Sequence, residues 1–528
     1  MTVQYVDVAI IGGGLAGNLL ARQLRLMVPN LSIGLFEKSR ETSFKVGEST
    51  VEIASNYLIR RLGLSNYLYN HQLPKNGLRF FFDTPEKTAS LPDMSEIGST
   101  GLPFHPSFQL DRSRLESDLL RINEDNGILV SLNTKVQELS LGPRDSGQQE
   151  HRFVGIRGSQ RQEYGCRWIV DASGRSSLIA RQLGLRVSEF KHGVGAVWGR
   201  FRNVVDIDTT GAAEFRKRVR YTSRMLSTTH FCYPGYWIWF IPLGKGITSV
   251  GVVMDHSACW NDELRKRKGF LTFLGDHQAV WSLLTNATLI DIGSYGQLAY
   301  STQHYFSGDR WGLTGESAAF TDPFYSPGSD FIALENDFLT DLISRDNQNE
   351  SSQQLNERAE LYNQYMRFRY EATMLLYRDL YSLLGSFDLL KLKWQLDFAL
   401  YYHIWLSQYM QDLHLDDEFL RRQLKEQKLT LNALSNFSDL FQKVERQLRA
   451  RGSYYQASCG KFANAMEGID WEKEVGTPQE LHSEFERSEE IFNKTLQKAC
   501  DLLEEATSEI TRKPFPLSRF LVGETFIE

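Results

Sequence analysis

Two stretches of this 528-residue chain have residue types and spacings that can hold a ligand. In "VDVAIIGGGLAGNLLARQLRLMVPNLSIGLFEKS", Gly12, Gly14 and Gly17 stand at GxGxxG spacing, between a buried-strand run and an apolar run with helical period. Gly12 suits a tight turn, and Gly17 allows close contact between helix and strand. Gly14 lets a pyrophosphate approach the backbone at the helix N-terminus, next to Leu15 and Ala16. Glu37, beside Lys38 at the end of the next strand, can accept ribose hydroxyls. In "YWIWFIPLG", residues 236–244, Trp237, Trp239 and Ile241 fall on one face of a strand that ends at Pro242, packed in a core or beneath a ligand.

Two further strand ends must position the first site. "CRWIVDASGRSS" (166–177) ends in a turn with Asp171 and Gly174, and "GDRWGLTGESAAFTDPF" (308–324) in a loop with Gly315, Glu316 and Pro323. Together the three resemble the large FAD-binding fold of the aromatic-hydroxylase superfamily, whose last loop contacts the ribityl chain and pyrophosphate. Glu316 stands where that superfamily usually has Asp. The expected architecture is α/β. A discontinuous FAD-binding Rossmann-type module spans 1–345, with a β-sheet substrate domain inserted at about 72–110 and 185–300. From 346 to 528 a mostly helical region caps the substrate side, with helical patterns over 355–387, 388–413, 414–450 and 479–511, and a helix start at "GTP" (476–478).

Within that frame the pattern W-x-W-x-I-P resembles the flavin-dependent halogenases, over roughly residues 5–345. The resemblance implies that Trp237 and Trp239 lie in a partition between flavin and substrate, with Ile241 and Pro242 on the substrate side. It also implies that Lys75, in the K-x-G-x-x-F context of "QLPKNGLRFFFD", is the catalytic lysine of members acting on phenols and pyrroles, where an isolated lysine before a strand would be a surface charge. Gly47, Glu48, Ser49 and Thr50 resemble the end of the family's flavin strap, although a plain N-cap for a helix starting near Val51 explains Ser49 and Thr50 equally well. Arg114 joins the implied cofactor contacts.

The implied chemistry is two-component. FADH2 from a separate reductase, O2 and chloride or bromide give hypohalous acid, which Lys75 hydrogen-bonds or converts to a haloamine beside an electron-rich phenol, pyrrole or indole, free or tethered to a carrier protein. A lysine suits this because desolvation lowers its pKa. In "DPFYSPGSDF" (322–331) the resemblance implies backbone N–H groups that hold the halide, a nest of converging amide dipoles. Ser326, Gly328 and Ser329 can donate; Pro327 has no N–H. The halide site is therefore rebuilt around those three residues or absent. Tyr325, on the substrate side, stands where tryptophan-halogenating relatives carry glutamate, which argues against free tryptophan as substrate.

Bulk properties set the remaining bounds. A net charge of −6, with 41% hydrophobic and 23% charged residues, gives no electrostatic reason to expect nucleic acid or an anionic membrane, and "FRKRVR" (215–220) reads as solvated surface. Five scattered cysteines, Cys166, Cys232, Cys259, Cys459 and Cys500, have no CxxC spacing, so no metal or disulfide framework is expected and a reduced cytoplasm fits best. His192, His304 and His403 read as packed or surface histidines. A monomer or homodimer is expected. The competing functions are an FAD monooxygenase or dehydrogenase of the same fold that uses no halide, and a flavoprotein kept as a binding subunit.

Overall fold

Parallel strands buried on both faces read as continuous apolar runs, and Val8, Ala9 and Ile10 are fully buried at the centre of such a sheet. In the computed structural model, which describes residues 2–142, 151–258 and 260–465, the strand order is Phe306–Ser307, Trp311–Leu313, Gln160–Asp171, Gln4–Ile11, Ile33–Phe36 and Leu129–Ser131. Ile11 lies opposite Asp171 and Phe36, and Asp171 opposite Leu313, so the three strand ends singled out in the sequence meet at one edge. Ligands of open α/β sheets bind at that carboxyl edge. Helix Leu15–Met27 packs close beneath it: a Cβ on Gly17 would lie 2.0 Å from the Gly12 carbonyl oxygen.

The inserted sheet runs Thr288–Leu289, Val194–Arg202, Ile247–Asp255, Tyr236–Gly244, Thr228–Tyr233, Leu78–Phe82, Ser95–Gly98 and Phe462–Asn464, with Gly293–Tyr295 also on Val194–Arg202. Along Tyr236–Gly244 the faces alternate. Tyr236, Ile238 and Phe240 pack with the helices Arg267–Gly275 and Gln278–Leu284, and Trp237, Trp239 and Ile241 turn towards the flavin half. Phe462–Asn464 departs from the helical reading of the chain after residue 346. Three residues give too short a period to read, and their strand exists only because Ser95–Gly98 offers an edge.

The helical pattern over 355–387 forms a helix only from Ser352 to Met374, followed by turns and the short Tyr381–Leu383 segment. Helix Phe387–Leu400 runs into a π-type turn, Tyr401–Leu406, and a 34-residue helix, Asp417–Ala450, starts at an Asp416 cap. Helix Gly328–Asn347 passes through the boundary expected at 345. The expected helix at 479–511, its "GTP" start, Cys259 and Cys500 lie outside the described residues. No described helix is long and apolar enough to cross a membrane.

The inserted sheet buries a charge cluster. Glu96, fully buried, accepts from Arg79 at 2.5 Å and from Arg224 at 2.8 Å, with Arg218 at 3.6 Å. Removing one partner of such a pair leaves uncompensated buried charge. Glu96→Gln is expected to cost about 3–5 kcal/mol of unfolding free energy in a denaturant titration, with exposed Glu86→Gln within about 0.5 kcal/mol of wild type.

Candidate active site

The carboxyl edge of the first sheet opens into a cleft of about 1170 Å³, counted to its mouth. Leu15, Gly315, Glu316 and Pro323 line one side, the Gly47–Ser49 strap a second, and Trp237, Trp239 and Ile241 a third. The N-terminus of the 13-residue helix Leu15–Met27 has no side-chain cap, and a Cβ on its Gly14 N-cap would meet nothing nearer than the Lys45 ammonium at 3.9 Å. First-turn N–H groups left open beside a cation form an anion site. Glu37 closes the glycine loop, accepting from Gly13 N–H at 2.7 Å and Ser39 N–H at 2.8 Å. These features fit a flavin dinucleotide: a pyrophosphate cradle leads into a long cleft with aromatic walls.

The strap is tied down residue by residue. Gly47 sits at φ +87°, where a side chain would be strained. The Glu48 carboxylate accepts two bonds from Arg200, at 3.0 and 2.7 Å, with both residues buried; burial raises its pKa against the pull of Arg200. The Ser49 hydroxyl is 2.8 Å from that of Thr228, and the Thr50 hydroxyl donates to the Phe108 carbonyl. Neither caps a helix: helix Glu52–Asn56 starts after Val51 without a side-chain cap bond, so the N-cap alternative fails.

A second chamber, of about 1330 Å³ with the solvent at its mouth included, lies behind the cleft. The two share a wall made by the turn into helix Gly328–Asn347. Ser326, Gly328 and Ser329 line the cleft, Tyr325, Pro327 and Asp330 line the chamber, and Phe331 lines both. Ser326 is at φ +61° and spends its N–H on the Pro323 carbonyl, so it offers only its hydroxyl; Gly328 and Ser329 keep the first-turn N–H groups.

Lys75 lines the second chamber and is only 1% exposed. Its Nζ donates to the Thr50 carbonyl at 2.7 Å, which couples it to the strap. Burial lowers its pKa to about 8, against the raising influence of Glu52 and Asp330. Asp330 accepts from Ala54 N–H at 2.9 Å and the Tyr401 hydroxyl at 3.1 Å, and burial raises its pKa to about 7. The sequence reading passed over Asp330 although it stands in the quoted "DPFYSPGSDF"; an acid in the first turn of a helix was the available signal. Asp397 also reaches the chamber, held by Lys393 and by the Tyr325 hydroxyl at 2.9 Å.

Other expected site residues fall elsewhere. The tryptophans line the cleft side and not the chamber: Trp237 Nε1 donates to the Tyr381 hydroxyl at 3.1 Å and Trp239 Nε1 to Ser249 at 3.2 Å. Ile241 faces the cleft, and Pro242, one residue on, points to the opposite face beside Val204 and Thr248. Neither lines the second chamber, and strand alternation puts Pro242 on the face away from the cleft. Arg114 is on the outer face of helix Arg112–Asp125, 2.7 Å from the His71 ring. Arg112, about 200° round the helix, lines the cleft instead and donates to the Val46 carbonyl. Lys38 is exposed. Asp171 spends its carboxylate on the Ser173 and Ile179 N–H groups, which shapes the turn that contains Gly174. His192, read as isolated, is 2.7 Å from Asp322, which also accepts from Tyr381 at 2.5 Å. This buried chain ends at Trp237. Among the described residues no group of His, Cys, Asp and Glu could hold a metal ion.

A family model described as FAD binding domain matches residues 5–225. The flavin-dependent halogenase chlA of Dictyostelium discoideum is 28% identical over 447 residues, 78% of this chain and 72% of that protein. A 1H-pyrrole-2-carbonyl-[peptidyl-carrier protein] chlorinase of Pseudomonas fluorescens is 26% identical over 345 residues, 61% of this chain and 72% of its own. The chain is thus similar to flavin-dependent halogenases over most of its length, and its first 225 residues carry an FAD-binding domain. The structure of halogenase PltM with phloroglucinol and FAD superimposes with a TM-score of 0.65 at 18% identity, covering 93% of this chain and 96% of that one, which extends the likeness of fold into the helical region.

The exchange of Arg114 for Arg112 at the cleft can be tested directly. Arg112→Ala is expected to weaken FAD binding about tenfold or more, as loss of a charged hydrogen-bond donor does, and Arg114→Ala by less than about twofold. Fluorescence titration of FAD measures both.

Proposed function

We propose that this protein is a flavin-dependent halogenase that places chlorine or bromine on an electron-rich aromatic ring of phenol or pyrrole type. A separate cytoplasmic flavin reductase supplies its FADH2, and it works as a monomer or homodimer. The observation that carries this reading is the shared wall. A flavin-sized cleft and an aromatic chamber meet back to back across residues 325–331, and a buried lysine of lowered pKa stands on the chamber side. The phloroglucinol bound in the halogenase PltM structure and the carrier-bound pyrrole named for the Pseudomonas fluorescens chlorinase support the aromatic class.

Reduced FAD held by the glycine loop, Arg112 and the strap supplies, with O2, the two-electron oxidation of halide to hypohalous acid. The protein's own part is separation and transfer. Gly328 and Ser329 N–H groups and the Ser326 hydroxyl face the halide side; Phe331 and the tryptophans exclude substrate from it. In the chamber the neutral Lys75 amine attacks the halogen of hypohalous acid. The N–X bond forms as O–X breaks, and the hydroxide leaves with the amine's proton as water. The ring carbon then takes the halogen as the electron pair of N–X returns to nitrogen; the nitrogen takes a proton from the acid form of Asp330, which is half-populated near pH 7, and the ring proton passes to the carboxylate this leaves, which restores both amine and acid.

Incubation with reduced FAD, O2 and bromide should give brominated phenols by mass spectrometry. Lys75→Ala should lower the yield at least a hundredfold, without loss of FAD binding. Only the neutral amine can attack, so the rate should rise with pH, with a midpoint near 8 set by Lys75. A rate that falls through pH 8 would instead make the ammonium form the active one, a hydrogen-bond donor. Hydroxylated product, equal with and without halide, would sink the halogenase reading.

One observation favours the halide-free monooxygenase alternative. Pro327 lacks an N–H and Ser326 has spent its own, so two amide donors remain. Halide titrated against the oxidised flavin spectrum should nonetheless give saturable binding in wild type, and tighter binding in Pro327→Thr. A response only in the threonine variant would assign the protein to the halide-free class.

A further inference from the structure

Five charged residues line the second chamber: Glu52, Lys75, Asp330, Arg369 and Asp397. Four of them are already matched within the protein. Glu52 accepts from the Tyr402 hydroxyl at 2.7 Å, Lys75 donates to Thr50, Asp330 holds Ala54 N–H and Tyr401, and Asp397 holds Lys393 and Tyr325. Arg369 is the exception. It is 4% exposed, and no described residue accepts a hydrogen bond from its guanidinium; its Nε is buried without a partner.

A buried guanidinium is costly unless an oxygen acceptor meets its fork of donors. Arg369 is also fixed in place. It comes from the rigid helix Ser352–Met374 and its guanidinium stacks 3.9 Å from the Trp405 ring, so its donors are oriented before a ligand arrives. Asp330, the carboxylate whose titration it influences, has one oxygen taken by the Ala54 N–H and the other by the Tyr401 hydroxyl. The chamber that Arg369 and Lys75 share also has aromatic walls, among them Tyr377, Trp394 and Phe398, surfaces on which an aromatic ring can pack.

We propose that Arg369 selects the substrate by taking a carbonyl or carboxylate oxygen attached to the aromatic ring, so that the enzyme acts on hydroxylated aryl ketones or aryl carboxylates in preference to the bare phenol. The inference rests on the halogenase reading for its reaction but on the chamber alone for its recognition. One ring substituent is held at Arg369, which fixes the edge of the ring offered to Lys75. Planar, bidentate acceptors suit guanidinium and not ammonium.

The test compares resorcinol, 2,4-dihydroxybenzoate and 2,4-dihydroxyacetophenone on the FAD-loaded protein, by calorimetric binding and by halogenated product. In wild type one or both carbonyl compounds should bind about tenfold or more tighter than resorcinol, and the one favoured identifies the acceptor as anion or ketone. In Arg369→Met, which keeps the apolar stem, that ratio should fall to near one. Equal affinities in wild type, or a preference retained in Arg369→Met, overturns the proposal. If Arg369→Met does not bind FAD, Arg369→Lys carries the test: it keeps charge without the fork and should cut the ratio several-fold, and an unchanged ratio overturns the proposal. Arg369-dependent binding without halogenated product would refute the halogenase reading and leave the recognition standing.

Discussion

One turn of chain has to serve two spaces. Residues 325–331 give alternate atoms to the flavin cleft and to the chamber behind it, and everything else in the site is arranged around that wall. Pro327 makes sense there as a structural start. It is the N-cap of helix Gly328–Asn347 with φ −76°, a position whose missing N–H the helix does not need, and Ser326 at φ +61° reverses the chain into it. The proline therefore presents its ring to the chamber while the next two amides face the cleft. A residue with a free N–H would add a donor at the cost of a less constrained wall.

Burial then sets the chemistry on each side. Lys75 is desolvated but hydrogen-bonded to Thr50, so its charge is disfavoured without leaving the amine unheld. The same Thr50 closes the strap whose Glu48 is locked to Arg200. Strap position and lysine position are thus one variable: a shift of Glu48–Thr50 with cofactor binding would move the acceptor of the Lys75 hydrogen bond. This is a short physical path from the cleft to the reactive nitrogen, built from two buried polar contacts and no moving domain.

Much of the flavin half was legible in the sequence because its constraints are local. Glycines that a Cβ would drive into backbone at 2.2 and 2.0 Å, at positions 12 and 17, leave a spacing that can be read. So do apolar runs in a parallel sheet, and a strand whose odd residues are tryptophans. Where one turn of helix or one strand position decides the face, the reading failed. Arg112 and Arg114 differ only in helical phase, and Pro242 in strand parity. The chamber was less legible still, since Asp397, Trp394 and Arg369 come from helices whose packing no local period encodes. The strand Phe462–Asn464 depends wholly on a partner more than 360 residues earlier in the chain.

That division has a functional side. The cofactor fixes what the first sheet, its glycine loop and the strap must do, and these residues are short and rigid. The helical region is bound by no such demand. Its Tyr381 bonds Asp322 and Trp237 of the cleft wall, and its Arg369, Trp394, Asp397 and Trp405 line the chamber. Replacing Arg369, Trp394 or Trp405 would, on the proposed reading, alter which ring is held and how it is turned, and leave residues 325–331 and Lys75 in place. On that reading, the fold separates making an electrophilic halogen from choosing its acceptor, and gives the choice to the helical region.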